Sequence, residues 1–148
     1  MVIAISGAGG FIGKQLSVFF QSVGNQVVSI PRLPAAIPVA EVAALLSGAD
    51  VIINLAGAPI VSRWTSAYKK MLYDSRIITT RKIVEAMGLT EKKPVLLISA
   101  SAIGIYSSQG LQSEKDFQPA TDFLVIIIFA TPLTRHMTLV IEKKPSPL

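Results

Sequence analysis

The residues with the clearest chemical potential stand near the start of the chain, where Gly7-Ala8-Gly9-Gly10-Phe11-Ile12-Gly13 reads as G-x-x-G-x-x-G. Each glycine has a separate physical use. The first, Gly7, permits a backbone turn that a side chain would obstruct. The middle one, Gly10, lets the backbone approach a pyrophosphate, and Gly13 lets the following helix pack closely on the preceding strand. Free N–H groups at the start of that helix, Phe11 and Ile12 among them, then face the phosphates together with the positive end of the helix dipole. A glycine-rich connection that holds no ligand can have the same letters. Context separates the two, because the phosphate-binding form must follow a strand and open a helix.

The flanking sequence supplies that context. Residues 1–5 form a short apolar run that ends at the turn. Residues 11–23 carry apolar side chains at Phe11, Ile12, Leu16, Phe19, Phe20 and Val23, a helical period. Gly24 and Asn25 stop this helix as a C′ glycine does. Gln26–Ile30 reads as a second buried strand, which completes a strand-turn-helix-strand unit in about thirty residues. Residues 31–38 hold three prolines and form a loop, followed by a short helix over Val39–Leu46. Residues 50–54 are a strand with a continuous apolar run, as in strands covered on both faces. A loop over 58–66, a long helix over 67–87 and a further buried strand over 94–99 follow. Strands alternating with helices make this an α/β protein. The expected fold is a Rossmann-type doubly wound parallel sheet with helices on both faces.

The end of the second strand bears on the choice of dinucleotide. NAD sites usually place an acid there for the ribose 2′-hydroxyl, whereas NADP sites use arginine for the 2′-phosphate. Here Pro31-Arg32 occupies the position, and the first carboxylate downstream is Glu41. A guanidinium suits phosphate geometrically. NADP(H) is therefore expected ahead of NAD, the other reading of Arg32 being a surface charge in a loop.

Composition narrows the remaining classes. A sequence of 148 residues, 51% hydrophobic and 16% charged, is one ordinary domain with a sizeable core. It has no cysteine and one histidine, which removes thiolate chemistry and leaves no expected metal site. The net charge of +5 is scattered apart from the pairs Lys69-Lys70, Lys92-Lys93 and Lys143-Lys144. These read as solvated surface, so no nucleic-acid partner is expected, although a positive field favours a polyphosphate ligand. Residues 123–130, the longest apolar stretch, are too few to span a bilayer as a helix, and no membrane association is expected. The N-terminus passes directly into the glycine turn without a basic region or a secretory apolar region, so a cytoplasmic location is the expectation.

Three further segments join the glycine turn to make a recognisable set. They are residues 46–60 (LSGADVIINLAGAPI), Arg63-Trp64 followed by Ser75-Arg76, and residues 98–106 (ISASAIGIY). Together they resemble the atypical extended short-chain dehydrogenase/reductases of epimerase-like type, within the NAD-dependent epimerase/dehydratase superfamily, from Met1 to about Phe123. The resemblance implies an NADP(H)-binding Rossmann domain over residues 1–123. It also implies that Leu55 and Ala56 line the adenosine side of the cofactor cleft, that Arg32 meets the 2′-phosphate, and that Arg76 reaches toward the cofactor from the long helix. For Arg76 an ordinary helix-surface charge is the alternative, and for Leu55 and Ala56 it is the core. Trp64 either covers the cleft or packs beneath a loop.

The catalytic signal is thinner. Short-chain reductases normally pair a tyrosine with a lysine four positions later, beside a serine or threonine. The lysine lowers the tyrosine pKa so that the phenol exchanges a proton with the substrate. Ser101 matches the serine and is the candidate catalytic residue, with a local backbone role as the alternative. Tyr68, Tyr73 and Tyr106 are followed at four positions by Leu72, Ile77 and Gly110, so no Tyr-x-x-x-Lys exists. His136 reads as surface, and Glu114 and Asp116 as a solvated loop. Residues 124–148 depart from the family pattern. The resemblance implies truncation at the C-terminus relative to the family, with a divergent strand and tail. The apolar run at 124–129 would aggregate if unpaired, so burial or a homo-oligomer contact is expected. The expected partners are thus a dinucleotide cofactor and a small-molecule substrate of unknown identity. Three functions follow: an NADP(H)-dependent epimerase-like oxidoreductase, a non-catalytic cofactor-binding module, or a degenerate fragment of such an enzyme.

Overall fold

The computed structural model describes residues 1–100 together with Phe123. Within them four strands, β1 (Val2–Ser6), β2 (Gln26–Ile30), β3 (Val51–Asn54) and β4 (Leu96–Ser99), form one parallel sheet in the order β2-β1-β3-β4. The helices are α1 (Phe11–Ser22), α2 (Val39–Leu46), α3 (Ser66–Tyr73) and α4 (Thr79–Leu89). This is the doubly wound arrangement expected from the alternation of periods.

Strand alternation puts two different cores on the two faces. Ile3, Ile5, Val51 and Ile53 point to one face, where Leu16 and Phe20 of α1 cover them. Ala4, Ile30 and Ile52 point to the other and meet Val42 and Leu46 of α2 with Ile83 and Ala86 of α4. Each fully buried Ile or Leu is worth about 1.5–3 kcal/mol of hydrophobic transfer, so the sandwich is held from both sides.

The α1 terminus closes as its sequence predicts. Val23 caps the helix, Gly24 follows at φ +81°, and the Gly24 and Asn25 N–H groups bond to the Gln21 and Phe20 carbonyls at 3.0 Å each. That pair of bonds is a Schellman motif, which a positive φ at glycine makes inexpensive.

Three expectations need correction. β2 forms as expected but is not buried through its length, since Gln26 and Ser29 are exposed and only Ile30 is fully covered. It is an edge of the described sheet, because the backbone after β2 turns into a loop and α2 and passes over β1 to β3. β4 is likewise only half-buried, with Ile98 38% exposed. The long helix, expected over 67–87, runs from Ser66 to Leu89 and is interrupted by a π-helical turn at Asp74–Ile78. The buried residues step by five from Leu72 to Ile77 across this turn, and the two flanking helices bury their faces in different clusters, Leu72 with Ala58 and Ile83 with Val42 and Leu46.

Exposed Lys69, Lys70, Lys92 and Lys93 agree with their reading as solvated surface. No described helix is long and apolar enough to cross a membrane. Among the described residues there is no group of side chains able to hold a metal ion. Ser101, Tyr106, Glu114, Asp116, His136 and the 124–148 segment lie outside the described residues.

Candidate functional site

The order β2-β1-β3-β4 reverses direction between β1 and β3, and open α/β sheets have their ligand crevice beyond the strand C-termini at such a point. A cleft of about 870 Å³ lies there. Its walls are Ser6 to Gly10 after β1, Ser29 to Ala35 after β2, Leu55 to Gly57 after β3, and one side of α3 with the π turn. That volume lies within the range of pockets that enclose sizeable small molecules.

The floor of the cleft is built on a buried polar hub. Ser6, Asn54 and Ser99 lie side by side at the ends of β1, β3 and β4 because the strands pair in that register. Asn54 is 3% exposed. Its Oδ1 accepts from Ser6 Oγ at 2.7 Å and from the Ala56 N–H at 3.3 Å, while its Nδ2 donates to Thr80 Oγ1 at 2.9 Å and Ser99 Oγ at 3.3 Å. One amide thus ties three strand ends, the β3 loop and α4 together. The sequence puts Asn54 at the end of a strand without indicating these partners for its side chain. The available signal was a lone amide closing an otherwise apolar run, a residue that must find partners once buried.

The glycine turn is tightly constrained. Gly7 has φ +78°, and a Cβ there would meet the Leu55 carbonyl at 3.0 Å. Gly13 is buried, and its Cβ would lie 2.3 Å from the Gly7 carbonyl oxygen and 2.7 Å from Ala8 Cα. Gly10 N–H bonds back to Gly7 O at 3.0 Å, and Gly10 O accepts the first helical bond, from Lys14 N–H at 3.0 Å. The N–H groups of Phe11, Ile12 and Gly13 therefore precede the helical ladder and have no partner within α1. Gly10 caps the helix without any side-chain bond, and no acidic residue stands in the first turn. The Phe11 side chain is 87% exposed, so only its backbone belongs to the turn.

The structure brings together most of the residues singled out from sequence. Gly7, Gly10, Arg32, Leu55 and Ala56 line the cleft, with Phe11, Ile12 and Gly13 directly behind the turn. Arg32 is exposed, and Glu41 is on α2, away from the lining. The carboxylate on the cleft wall is Asp74, which is paired with Lys70 at 2.5 Å on the far side, along α3 and the π turn.

Arg76 is neither an ordinary surface charge nor a lining residue. Its half-buried guanidinium lies behind Gly57, donates from Nη2 to the Ala58 carbonyl at 2.9 Å, and is placed so that a Gly57 Cβ would meet Cζ at 3.0 Å. Burial lowers the pKa of this guanidinium, and nearby Tyr68 acts in the opposite sense. Ser75, the neighbour of Arg76 in the sequence motif, accepts the Ala58 N–H on its Oγ at 3.0 Å. Trp64 does not line the cleft and stays 38% exposed. Its Nε1 donates to the Ile60 carbonyl at 2.9 Å, and its ring packs edge-on against Phe123 at 6.0 Å.

Comparison with known proteins gives a consistent result. The sequence model of the NAD dependent epimerase/dehydratase family matches residues 3–123. Epimerase family protein YfhF of Bacillus subtilis is 36% identical, over 79% of this chain and 42% of its own length. The chain spans less than half the length of this and the other curated relatives it matches. Among solved structures, human epimerase family protein SDR39U1 (isoform 2) with NADPH superposes with a TM-score of 0.78 at 24% identity, over 93% of this chain and 50% of that one. MoeE5 in complex with UDP-glucose and NAD gives 0.73 at 19% identity, over 88% and 46%. At these identities the two structures establish a shared fold.

Proposed function

The chain belongs to the NAD dependent epimerase/dehydratase family, and from that premise we propose that its cleft is the cofactor cradle of an epimerase-like short-chain dehydrogenase/reductase, with NADP(H) preferred over NAD(H). One observation carries the reading: a glycine turn with no room for a Cβ at Gly7 or Gly13 lines a crevice at the sheet's switch point, directly ahead of helix N–H groups that have no partner within α1. In this reading the Gly7–Gly10 backbone and the N–H groups of Phe11, Ile12 and Gly13 hold the pyrophosphate. Leu55 and Ala56 flank the adenosine, and Arg32 takes the 2′-phosphate. The preference for NADP(H) rests on Arg32 at the β2 end without a neighbouring acid, and the human relative solved with NADPH supports it. The relative solved with NAD keeps the other dinucleotide as the competing outcome.

When bound, the dinucleotide supplies or accepts a hydride at its nicotinamide. This protein's own residues bind it, orient it and shape the space beside it. Ser101 remains the candidate for handling the substrate proton. It follows two residues after Ser99, whose hydroxyl and strand end are held by Asn54. In this reading the protein is cytoplasmic, acts on a small-molecule substrate and forms homo-oligomers. A module that holds cofactor without turnover is the second reading, favoured by the lack of a lysine four residues after any tyrosine.

Calorimetric titration with NADPH and NADH tests the proposal. NADPH is expected to bind more tightly. Arg32→Ala should weaken NADPH alone, by about tenfold to a hundredfold for a charged hydrogen-bonded pair. Binding of neither dinucleotide would refute the cradle, and equal loss of both in Arg32→Ala would refute the 2′-phosphate contact. Turnover of a sugar-nucleotide or carbonyl substrate decides between enzyme and module.

A further inference from the structure

The wall of the cleft after β3 is braced by the π turn, which forms the adjoining wall through Asp74, Ser75 and Ile78 and places Arg76 behind Gly57. The peptide groups of Ala58, a buried residue next to cleft-lining Gly57, end on two consecutive side chains of that turn. Ser75 Oγ accepts the Ala58 N–H at 3.0 Å, and Arg76 Nη2 donates to the Ala58 carbonyl at 2.9 Å. Both side chains also anchor to one carbonyl a turn earlier, that of Leu72, from Ser75 Oγ at 3.1 Å and Arg76 Nη1 at 3.5 Å. The guanidinium fills the space behind Gly57 so closely that a Cβ there would lie 3.0–3.3 Å from three of its atoms. A π turn adds a residue to the helical repeat while leaving the flanking helices intact, and such insertions gather at functional sites. Here it presents Ser75 and Arg76 to one residue of the loop, while α3 and α4 keep their buried faces at Leu72 and Ile83.

We propose that Ser75 and Arg76 are positioning residues: through Ala58 they set the place of the 55–57 wall, Ser75 from the adjoining wall of the cleft and Arg76 from behind Gly57, so that the long helix tunes cofactor binding. The inference rests on the reading of the cleft as a dinucleotide site. A wall contact is common to both cofactors. Ser75→Ala and Arg76→Lys are therefore expected to raise the Kd for NADPH and NADH by the same factor, about tenfold for one lost hydrogen bond. Arg32→Ala, by contrast, should discriminate between them.

A double-mutant cycle separates positioning from direct contact. Gly57→Ala should weaken binding in the unmodified protein, where the methyl meets the guanidinium, and should have no further effect in an Arg76→Ala background, where that space is open. Multiplying losses would mean that Arg76 acts on the cofactor independently of the wall, and would overturn the inference. A measurement without ligand stands beside the cycle. Amide exchange at Ala58 should accelerate about tenfold in Ser75→Ala while the thermal melt stays within a few degrees of the unmodified protein. Unchanged exchange at Ala58 would overturn the clamp whatever the binding result. If the unmodified protein binds neither dinucleotide, the cleft reading fails, and the clamp's role in cofactor binding is overturned with it.

Discussion

Gly13 and Gly88 offer the sharpest test of the packing argument, because the same substitution should act in opposite directions at the two sites. Both are helical, and alanine is the better helix former by at most about 1 kcal/mol. At Gly88 a Cβ would meet nothing within 4 Å among the described residues. Gly88→Ala should therefore stabilise by about 0.5–1 kcal/mol, partly by restricting the unfolded state. At Gly13 the Cβ would lie 2.3 Å from Gly7 O, 2.7 Å from Ala8 Cα and 2.9 Å from the Ala8 carbonyl carbon. Ordinary contact needs about 3.5 Å, so α1 and the turn must separate by about 1 Å, and every opposing atom is backbone. Overpacking of this kind costs about 1–3 kcal/mol or more, which exceeds the propensity gain. The expected result for Gly13→Ala is a net loss of about 1–2 kcal/mol. For a protein of this size it lowers Tm by about 2–8 °C, whereas Gly88→Ala raises it by about 1–4 °C. Differential scanning calorimetry on both variants reads the pair directly. A Gly13→Ala variant that melts at or above the unmodified temperature would refute the close helix-turn packing on which the glycine pattern depends.

Asn54→Ala removes the partner of Ser6, Ala56, Thr80 and Ser99 at once. A loss of about 2–4 kcal/mol is expected, read as a lower urea midpoint at constant m; a change under about 0.5 kcal/mol would contradict the hub. Asp50 accepts from Lys92 Nζ at 2.5 Å and from the Val2 N–H at 2.8 Å, and these bonds, the Lys92 bond first, hold its pKa below the usual 3.8. A lowered folded pKa means stability that is present above 3.8 and lost as pH falls through the folded value. The Tm difference between the unmodified protein and Asp50→Asn should accordingly be full near about pH 6 and close under acid. A difference that stays constant down to about pH 2 would count against this linkage.

Much of the fold was legible in linear order because it depends on local periods. The apolar runs at Val51–Asn54 and Gln26–Ile30, the 3.6-residue stripe of α1 and the glycine at its C′ position act within a few residues, and each appears where the pattern puts it. The glycine turn was legible for the same reason, since a segment without Cβ atoms has few uses between a strand and a helix. Burial of whole strands was less so. A strand's letters state what it can bury, whereas its place at an edge or the centre depends on where the backbone passes next, and β2 is an edge of the described sheet.

The site divides along the same line. Residue types and spacing determined the βαβ unit, the tight turn and the arginine at the β2 end, because these are consequences of backbone sterics and local charge. Tertiary structure decided the rest. Register alone aligned Ser6, Asn54 and Ser99, residues 48 and 45 positions apart along their Asn54 bonds. A π-helical turn presents Ser75 and Arg76 to Ala58, with the Arg76 guanidinium behind Gly57. Such contacts join segments far apart in sequence, and no local period encodes them; they exist only once both faces of the sheet are packed.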